Sequence, residues 1–179
     1  MKGIVFNLLE EVVTSEYGEA TWDRLLDDAG LDGAYTSLGN YDDTEVARLV
    51  SVAAAALQSS PQEVLRWFGR GAMPLLAKRY PGFFGGHPNT RSFLLTLNSI
   101  IHPEVQKLYP GAITPVFDFD TSSSDTLVIG YSSARQLCAL AEGFMQGAAG
   151  YYAEQIDIKQ PQCMHSGADK CLFHVHFHQ

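Results

Sequence analysis

The chain is poor in cysteine, poor in basic charge and without a long apolar run. Three cysteines occur in 179 residues. That number is odd, and it is unlike the disulfide framework of a small secreted domain, so a reducing cytoplasm is the expected compartment. Twelve lysines and arginines stand against twenty aspartates and glutamates, for a net charge of −8, and the basic residues are scattered. This excludes a basic surface for nucleic acid or an anionic membrane. No run approaches the roughly eighteen apolar residues of a membrane-spanning helix. The opening Met1-Lys2-Gly3-Ile4-Val5-Phe6-Asn7-Leu8-Leu9-Glu10-Glu11 is too short in apolar residues to read as a signal peptide. Repeats, low-complexity tracts and linkers are missing too. Hydrophobic residues make up 46% and aromatics 11%. That is enough for one domain over residues 1–179 with a core that encloses a ligand.

The apolar residues are periodic, and the period changes along the chain. Ile4, Leu8, Leu9 and Val12 keep helical spacing and predict a first helix ending near Gly18. Trp22, Leu25, Leu26 and Ala29 predict a short second helix that stops at Gly30. Asp42 or Asp43 caps a third, carrying Val46, Leu49, Val50, Ala53, Ala54 and Leu57. Ser60-Pro61 reads as the start of a fourth, with Val64, Trp67, Phe68 and Leu75. Gly69 and Gly71 inside it allow close approach, either of another helix or of a bulky ligand. Pro74 is expected to kink or end it. Asn89 caps the next helix, whose stripe is Leu94, Leu97, Ile101, Val105 and Leu108. His102 lies beside that stripe. Pro103 disfavours helical dihedrals at His102, so the helix is expected to kink or restart there.

After Tyr109-Pro110-Gly111 the period falls to two. Val116, Asp118 and Asp120 alternate with Phe117 and Phe119, and Thr126 to Tyr131 follows as a second strand. A helix is expected from about Arg135 to Glu154, then strands at Ile156–Ile158 and Cys171–Phe177. The order is helices, hairpin, helix, hairpin. The fold class is therefore α+β: a mostly helical N-terminal part, then a small antiparallel β-sheet with a long helix between its hairpins.

Tyr131-x-Ser133-x-Arg135 places a phenol, a hydroxyl and a guanidinium within five residues. These donors can converge on one anionic group. Ser132 or Ser133 as a helix cap is the simpler reading of the same residues. A histidine on an apolar helix together with an anion clamp is what haem requires: a nitrogen for iron and donors for propionates.

The whole chain resembles the H-NOX domains, haem-based nitric oxide and oxygen sensors related to the haem domain of soluble guanylate cyclase. The resemblance rests on the Met1-Lys2-Gly3-Ile4-Val5 opening, Phe68-Gly69-Arg70, Ile101-His102-x-x-Val105-x-x-Leu108-Tyr109-Pro110, Pro115, Tyr131-x-Ser133-x-Arg135 and Ala141-Glu142-Gly143. It implies that His102 is the proximal iron ligand and that Tyr131, Ser133 and Arg135 hold the propionates of haem b. It implies a haem buried between the two parts of the fold, bent out of plane by Pro115 with help from Val5. Pro103 departs from the family pattern.

Family members that hold oxygen stably carry a distal tyrosine. The matching position here is Leu140, with Leu9, Ala72, Met73, Phe144 and Met145 expected around it. Bound oxygen carries partial negative charge and needs a donor, whereas nitric oxide binds ferrous haem without one, so the resemblance implies nitric oxide, with carbon monoxide as a second gas. Near the C-terminus, Cys163 and Cys171 with Cys138 resemble the zinc site of some bacterial H-NOX proteins. Gln160 stands where those relatives have the fourth ligand, a histidine. His165 or a histidine of the last strand could replace it.

The reading is a cytoplasmic haem sensor, not an enzyme, signalling to a separate partner such as a histidine kinase or a diguanylate cyclase. Two other classes remain. A haem enzyme would need a distal acid–base pair that the apolar helices do not offer. A zinc or thiol redox module would use the cysteines without haem.

Overall fold

A computed structural model describes residues 1–178. Gln179, the last residue of the expected domain, lies outside them. Helix α1 spans Gly3–Tyr17 and stops at Gly18, whose φ of +83° suits glycine. Helix α2, Glu19–Ala29, ends at Gly30 in the left-handed conformation. Asp42 caps α3, Asp43–Leu57, by accepting from the Thr44 N–H at 2.8 Å. Ser60 and Glu63 form a reciprocal capping box at the start of α4, Pro61–Arg79.

Pro74 does not end α4, which continues to Arg79. The reason is tertiary: α4 is clamped against the long helix α8, Cys138–Tyr151. A Cβ on Gly69 would stand 2.6 Å from the Leu140 carbonyl oxygen, and one on Gly143 would stand 2.3 Å from that of Arg66. The room at Gly69 thus serves a neighbouring helix, and Gly71 faces the Val12 side chain. Arg66 Nε also donates to Glu142 Oε2 at 2.7 Å across the seam.

Short helices α5, Pro81–Phe84, and α6, Thr90–Leu94, lead to a π-helical turn at Leu97–Ile101 and then α7, His102–Leu108. Strand β1, Val116–Asp120, pairs with β2, Thr126–Ser132. Strand β3, Ile156–Gln162, pairs with β4, Cys171–Phe177. The sheet order is β1-β2-β4-β3, antiparallel throughout, so the two hairpins meet along β2 and β4. The α+β architecture expected from the sequence is the observed one.

Helix α8 begins three residues later than its spacing suggests. Neither Ser132 nor Ser133 caps it. Ser133 Oγ instead accepts from the Arg135 N–H at 3.2 Å in a local turn, and Gln136 adopts a φ of +51° that no helix tolerates. At the other end Ala153, at φ +55°, stops the helix before Glu154.

Two apolar clusters result. Phe6, Val12, Leu49 and Phe68 belong to the cluster of α1–α4. Ile129, Ala148, Phe173 and Val175 belong to that of the sheet and α8. The α4–α8 seam joins them. Gly143→Ala is expected to destabilise the protein by about 1–3 kcal/mol, because backbone atoms cannot yield as a side chain would. Chemical denaturation compared with an exposed control, Gly150→Ala, measures this; equal midpoints would contradict the close-packing argument.

Candidate functional site

Between the two clusters lies a cavity of about 330 Å³, within the range of roughly 300–1,000 Å³ for small-molecule sites. Its wall is mostly apolar. His102, Pro115, Tyr131, Ser133 and Arg135 line it from the C-terminal side, and Val5, Met73, Leu140 and Phe144 from the helices.

His102 opens α7 with helical dihedrals, φ −64° and ψ −42°, despite the following proline. The restart explains this. Pro103 occupies the first turn of a new helix, where a missing N–H costs nothing. The preceding π-turn, with Ile101 N–H bonded to the Thr96 carbonyl at 3.1 Å, absorbs the misfit. Leu108, expected in the buried stripe, is 45% exposed, because α7 ends there at the rim of the cavity.

Burial pushes the His102 imidazole down to about 4, offset in part by a hydrogen bond to the Pro115 backbone carbonyl. The ring is therefore neutral at pH 7. With one ring nitrogen turned to a carbonyl, the other keeps its lone pair, the arrangement of a metal-binding histidine. The unfolded chain binds a proton near pH 6.5, the folded one only near 4. Stability of the haem-free protein should thus fall as pH drops from about 6.5 to 4, by up to about 3 kcal/mol from this group. His102→Phe should flatten that slope in denaturant titrations at several pH values; an unchanged slope would assign the acid sensitivity elsewhere.

The clamp residues converge at the loop after β2. Tyr131 is 2% exposed, and burial raises its phenol, countered by hydrogen bonds to Ser133 and the Leu137 backbone. Arg135 Nη1 donates to the Ile113 carbonyl at 2.9 Å, and Nε to Asp43 Oδ2 at 2.8 Å. From the sequence, Asp43, the first residue of α3, reads only as a candidate cap. Here it fixes the guanidinium and leaves part of its five-donor fork for an anion. A charge-assisted bond contributes about 1.5–3 kcal/mol. Arg135→Ala should therefore speed haem transfer to apomyoglobin by about tenfold or more, and faster than Ser133→Ala; an unchanged rate would remove Arg135 from the clamp.

On the helical wall, Leu140, Phe144, Met145 and Met73 border the cavity, but Leu9 and Ala72 do not. Leu9 is 4% exposed within the α1–α4 cluster. The face of α1 toward the cavity is Ile4, Val5 and Leu8. At about 100° per residue, Leu9 lies a quarter-turn from the centre of that face.

Tyr80 and Tyr109 also line the cavity, beyond the residues expected there from the sequence. Their phenols hydrogen-bond each other, joining the end of α4 to the end of α7. Burial, then the Tyr80 contact, raises the Tyr109 phenol. A signal existed: each ends a helix directly before proline, at Tyr80-Pro81 and Tyr109-Pro110, with similar dihedrals of φ −131°, ψ 60° and φ −125°, ψ 79°.

Behind the clamp, Cys138, Cys163 and Cys171 bring their sulfurs within 4.8 Å of one another. Cys163 Sγ is 3.8 Å from that of Cys138 and 3.9 Å from that of Cys171. Zinc–sulfur bonds of about 2.3 Å at tetrahedral angles require roughly 3.8 Å between sulfurs, so three vertices of such a site fit. The fourth does not. His165 Nε2 is engaged with the Gln136 carbonyl at 2.8 Å. His174 and His176 fall on the outer face of β4, because strand alternation puts Cys171, Phe173 and Val175 inward, and exposed His178, beyond the strand, is engaged with Asp157 Oδ2 at 2.8 Å. Gln160 lies beside Cys138, and its Nε2 is buried without a regular hydrogen-bond partner. Burial pushes the Cys138 thiol up to about 12 and raises Cys171. Cys171 pairs with Tyr131 across the sheet, and Cys138 starts α8, so both ends of the clamp loop meet at this cluster.

A neutral, half-buried histidine and the donors of Tyr131, Ser133 and Arg135 around one apolar cavity form a haem-type arrangement, and a family model described as Haem-NO-binding matches residues 2–160. The chain belongs to this family. Over 100% of both chains it is 33% identical to an H-NOX protein from S. oneidensis solved in the Fe(II)NO state, with a TM-score of 0.94. The Shewanella oneidensis SO2144 H-NOX domain in the Fe(II)CO state is 32% identical at a TM-score of 0.91, covering 100% of this chain and 99% of that one. An oxygen-binding H-NOX domain related to soluble guanylate cyclases, in its oxygen complex, is 21% identical at a TM-score of 0.84, covering 100% and 96%. That last likeness is one of fold. The H-NOX fold is a haem-based gas-sensor fold. No helix among the described residues is long and apolar enough to cross a membrane.

Proposed function

We propose that this H-NOX chain is a single haem-binding domain that senses nitric oxide in the cytoplasm and discriminates against oxygen. The observation that carries the reading is His102, neutral and held by a backbone carbonyl at the wall of an apolar cavity. Haem b, when bound, supplies a ferrous iron that takes diatomic gases. Every other part belongs to the chain. His102 supplies the iron's protein nitrogen, and Pro115 orients the ring. Tyr131, Ser133 and Arg135 hold the propionates, with Asp43 aligning the guanidinium. Val5 and Pro115 face the cavity where they would press on the macrocycle.

Leu140 and Phe144 offer no hydrogen bond to a gas, which removes the stabilisation that polar oxygen needs and nitric oxide does not. The phenols of Tyr80 and Tyr109 are paired with each other at the end of α7. Carbon monoxide, also apolar in its demands, is expected as a second ligand.

The signal leaves through α7. This helix is seven residues long, starts at a π-turn and has no fully buried side chain. A change in tension at His102 can therefore shift it at small packing cost. A separate partner, such as a histidine kinase or a diguanylate cyclase, reads the new surface. At the thiol cluster the resemblance names zinc, for which Cys138, Cys163 and Cys171 would supply three ligands.

The test is a visible absorption spectrum of the purified, reduced protein before and after adding nitric oxide. A strong Soret band that shifts at once with nitric oxide, and stays unliganded or slowly oxidises in air, is the expected result. Absence of a Soret band after haem reconstitution would end the sensor reading.

A further inference from the structure

We propose that Cys138, Cys163 and Cys171 form a binding site for trivalent arsenicals, independent of the haem cavity. The three sulfurs already meet within 4.8 Å, close enough for one small central atom to bridge. A closed structural zinc site needs four protein ligands, and the fourth is missing. Arsenic(III) needs three ligands, with its lone pair in the remaining position.

Charge separates the two ions further. Cys138 is 3% exposed and Cys171 is 0% exposed. Zinc held by three thiolates carries a net negative charge, and a buried charge is costly without a partner. The donors around the sulfurs are neutral: the Met164 N–H, 3.3 Å from Cys171 Sγ, and the Gln160 amide beside Cys138. Among the described residues, no lysine, arginine or histidine hydrogen-bonds to a cluster sulfur. An arsenic tris-thiolate has no charge to compensate. Arsenous acid, As(OH)₃, reacts with three thiols: three As–O bonds break, three As–S bonds form, and each thiol proton leaves with a hydroxide as water. Arsenic stays trivalent, and no oxidant or reductant is consumed. Half-buried Cys163, in the β3–β4 connection, offers the first sulfur to solvent.

The experiment titrates the reduced, full-length protein with sodium arsenite. It reads free thiols, intact mass, zinc content and the Soret band together. One arsenic per chain is expected, with loss of all three thiols, a mass gain of one arsenic less three protons, release of any zinc present and an unchanged Soret band. Cys163→Ser should weaken arsenite binding at least tenfold. Three thiols that stay titratable in excess arsenite, or zinc that arsenite does not displace, would overturn the proposal, as would equal binding by Cys163→Ser. Because the Soret band is read on the same sample, failure here is distinguishable from failure of the haem reading.

Discussion

His102→Gly protein is expected to load haem poorly, and added imidazole is expected to restore the loading. Changing only the partner that orients a metal-bound histidine typically costs about 10–100-fold in affinity. Removing the ligand itself should cost more, and the clamp of Tyr131, Ser133 and Arg135 would then hold the cofactor alone. The glycine leaves a space lined by Ile101, Val105, Phe117 and Pro115, all at the cavity wall. Free imidazole fits that space and brings back the neutral nitrogen. Because the rescue needs no folding change, it separates lost ligation from lost structure. The measurement is the Soret absorbance per chain, with and without imidazole, on reconstituted protein. A mutant with normal loading and a wild-type spectrum would show that another residue binds iron. Gas binding without His102 would also uncouple α7 from the iron, so partner regulation should disappear even in rescued protein.

Leu140→Tyr is expected to give measurable oxygen binding where the proposed function expects none in the wild type. Leu140 is 7% exposed on α8 and borders the cavity beside Phe144. A phenol there could donate to the partly charged oxygen molecule. Such a bond in a dry site contributes about 1.5–3 kcal/mol, or roughly tenfold to a hundredfold in affinity. Nitric oxide affinity should change far less, since it does not depend on that bond. Spectra of the reduced variant in air, set against wild type, test this. A stable oxygen complex in the wild type would overturn the discrimination argument outright. Tyr80→Phe is the companion control: if the Tyr80–Tyr109 pair is a tether and not a ligand donor, it leaves oxygen affinity alone.

The helices were legible because their determinants are local. Asp42, Ser60, Asn89, Gly18 and Gly30 act within a few residues of themselves, and each ends or starts a helix where its chemistry requires. The shared placement of Tyr131, Ser133 and Arg135 was legible for the same reason, since they need only a strand end and a turn to share one side. Pro74 shows the limit. Its local cost of about 3 kcal/mol predicts a break. The α4–α8 seam, formed with residues some seventy positions away, outweighs it.

By itself, then, the sequence determined the element order and the family resemblance, and it singled out His102, Tyr131, Ser133 and Arg135, which the fold brings to one cavity. Tertiary structure alone decided which neighbours complete them. Asp43 reaches Arg135 from 92 residues away. Leu8 faces the cavity and Leu9 the core through a rotation of α1 that periodicity leaves open. Tyr80 and Tyr109 meet only because α4 and α7 end side by side. Three cysteines become one cluster, and the last-strand histidines are excluded from it, because pairing β2 with β4 sets which face of the sheet is inside. The physical reason is range: caps, turns and alternation act over a few residues, whereas a cavity is the remainder left when distant elements pack.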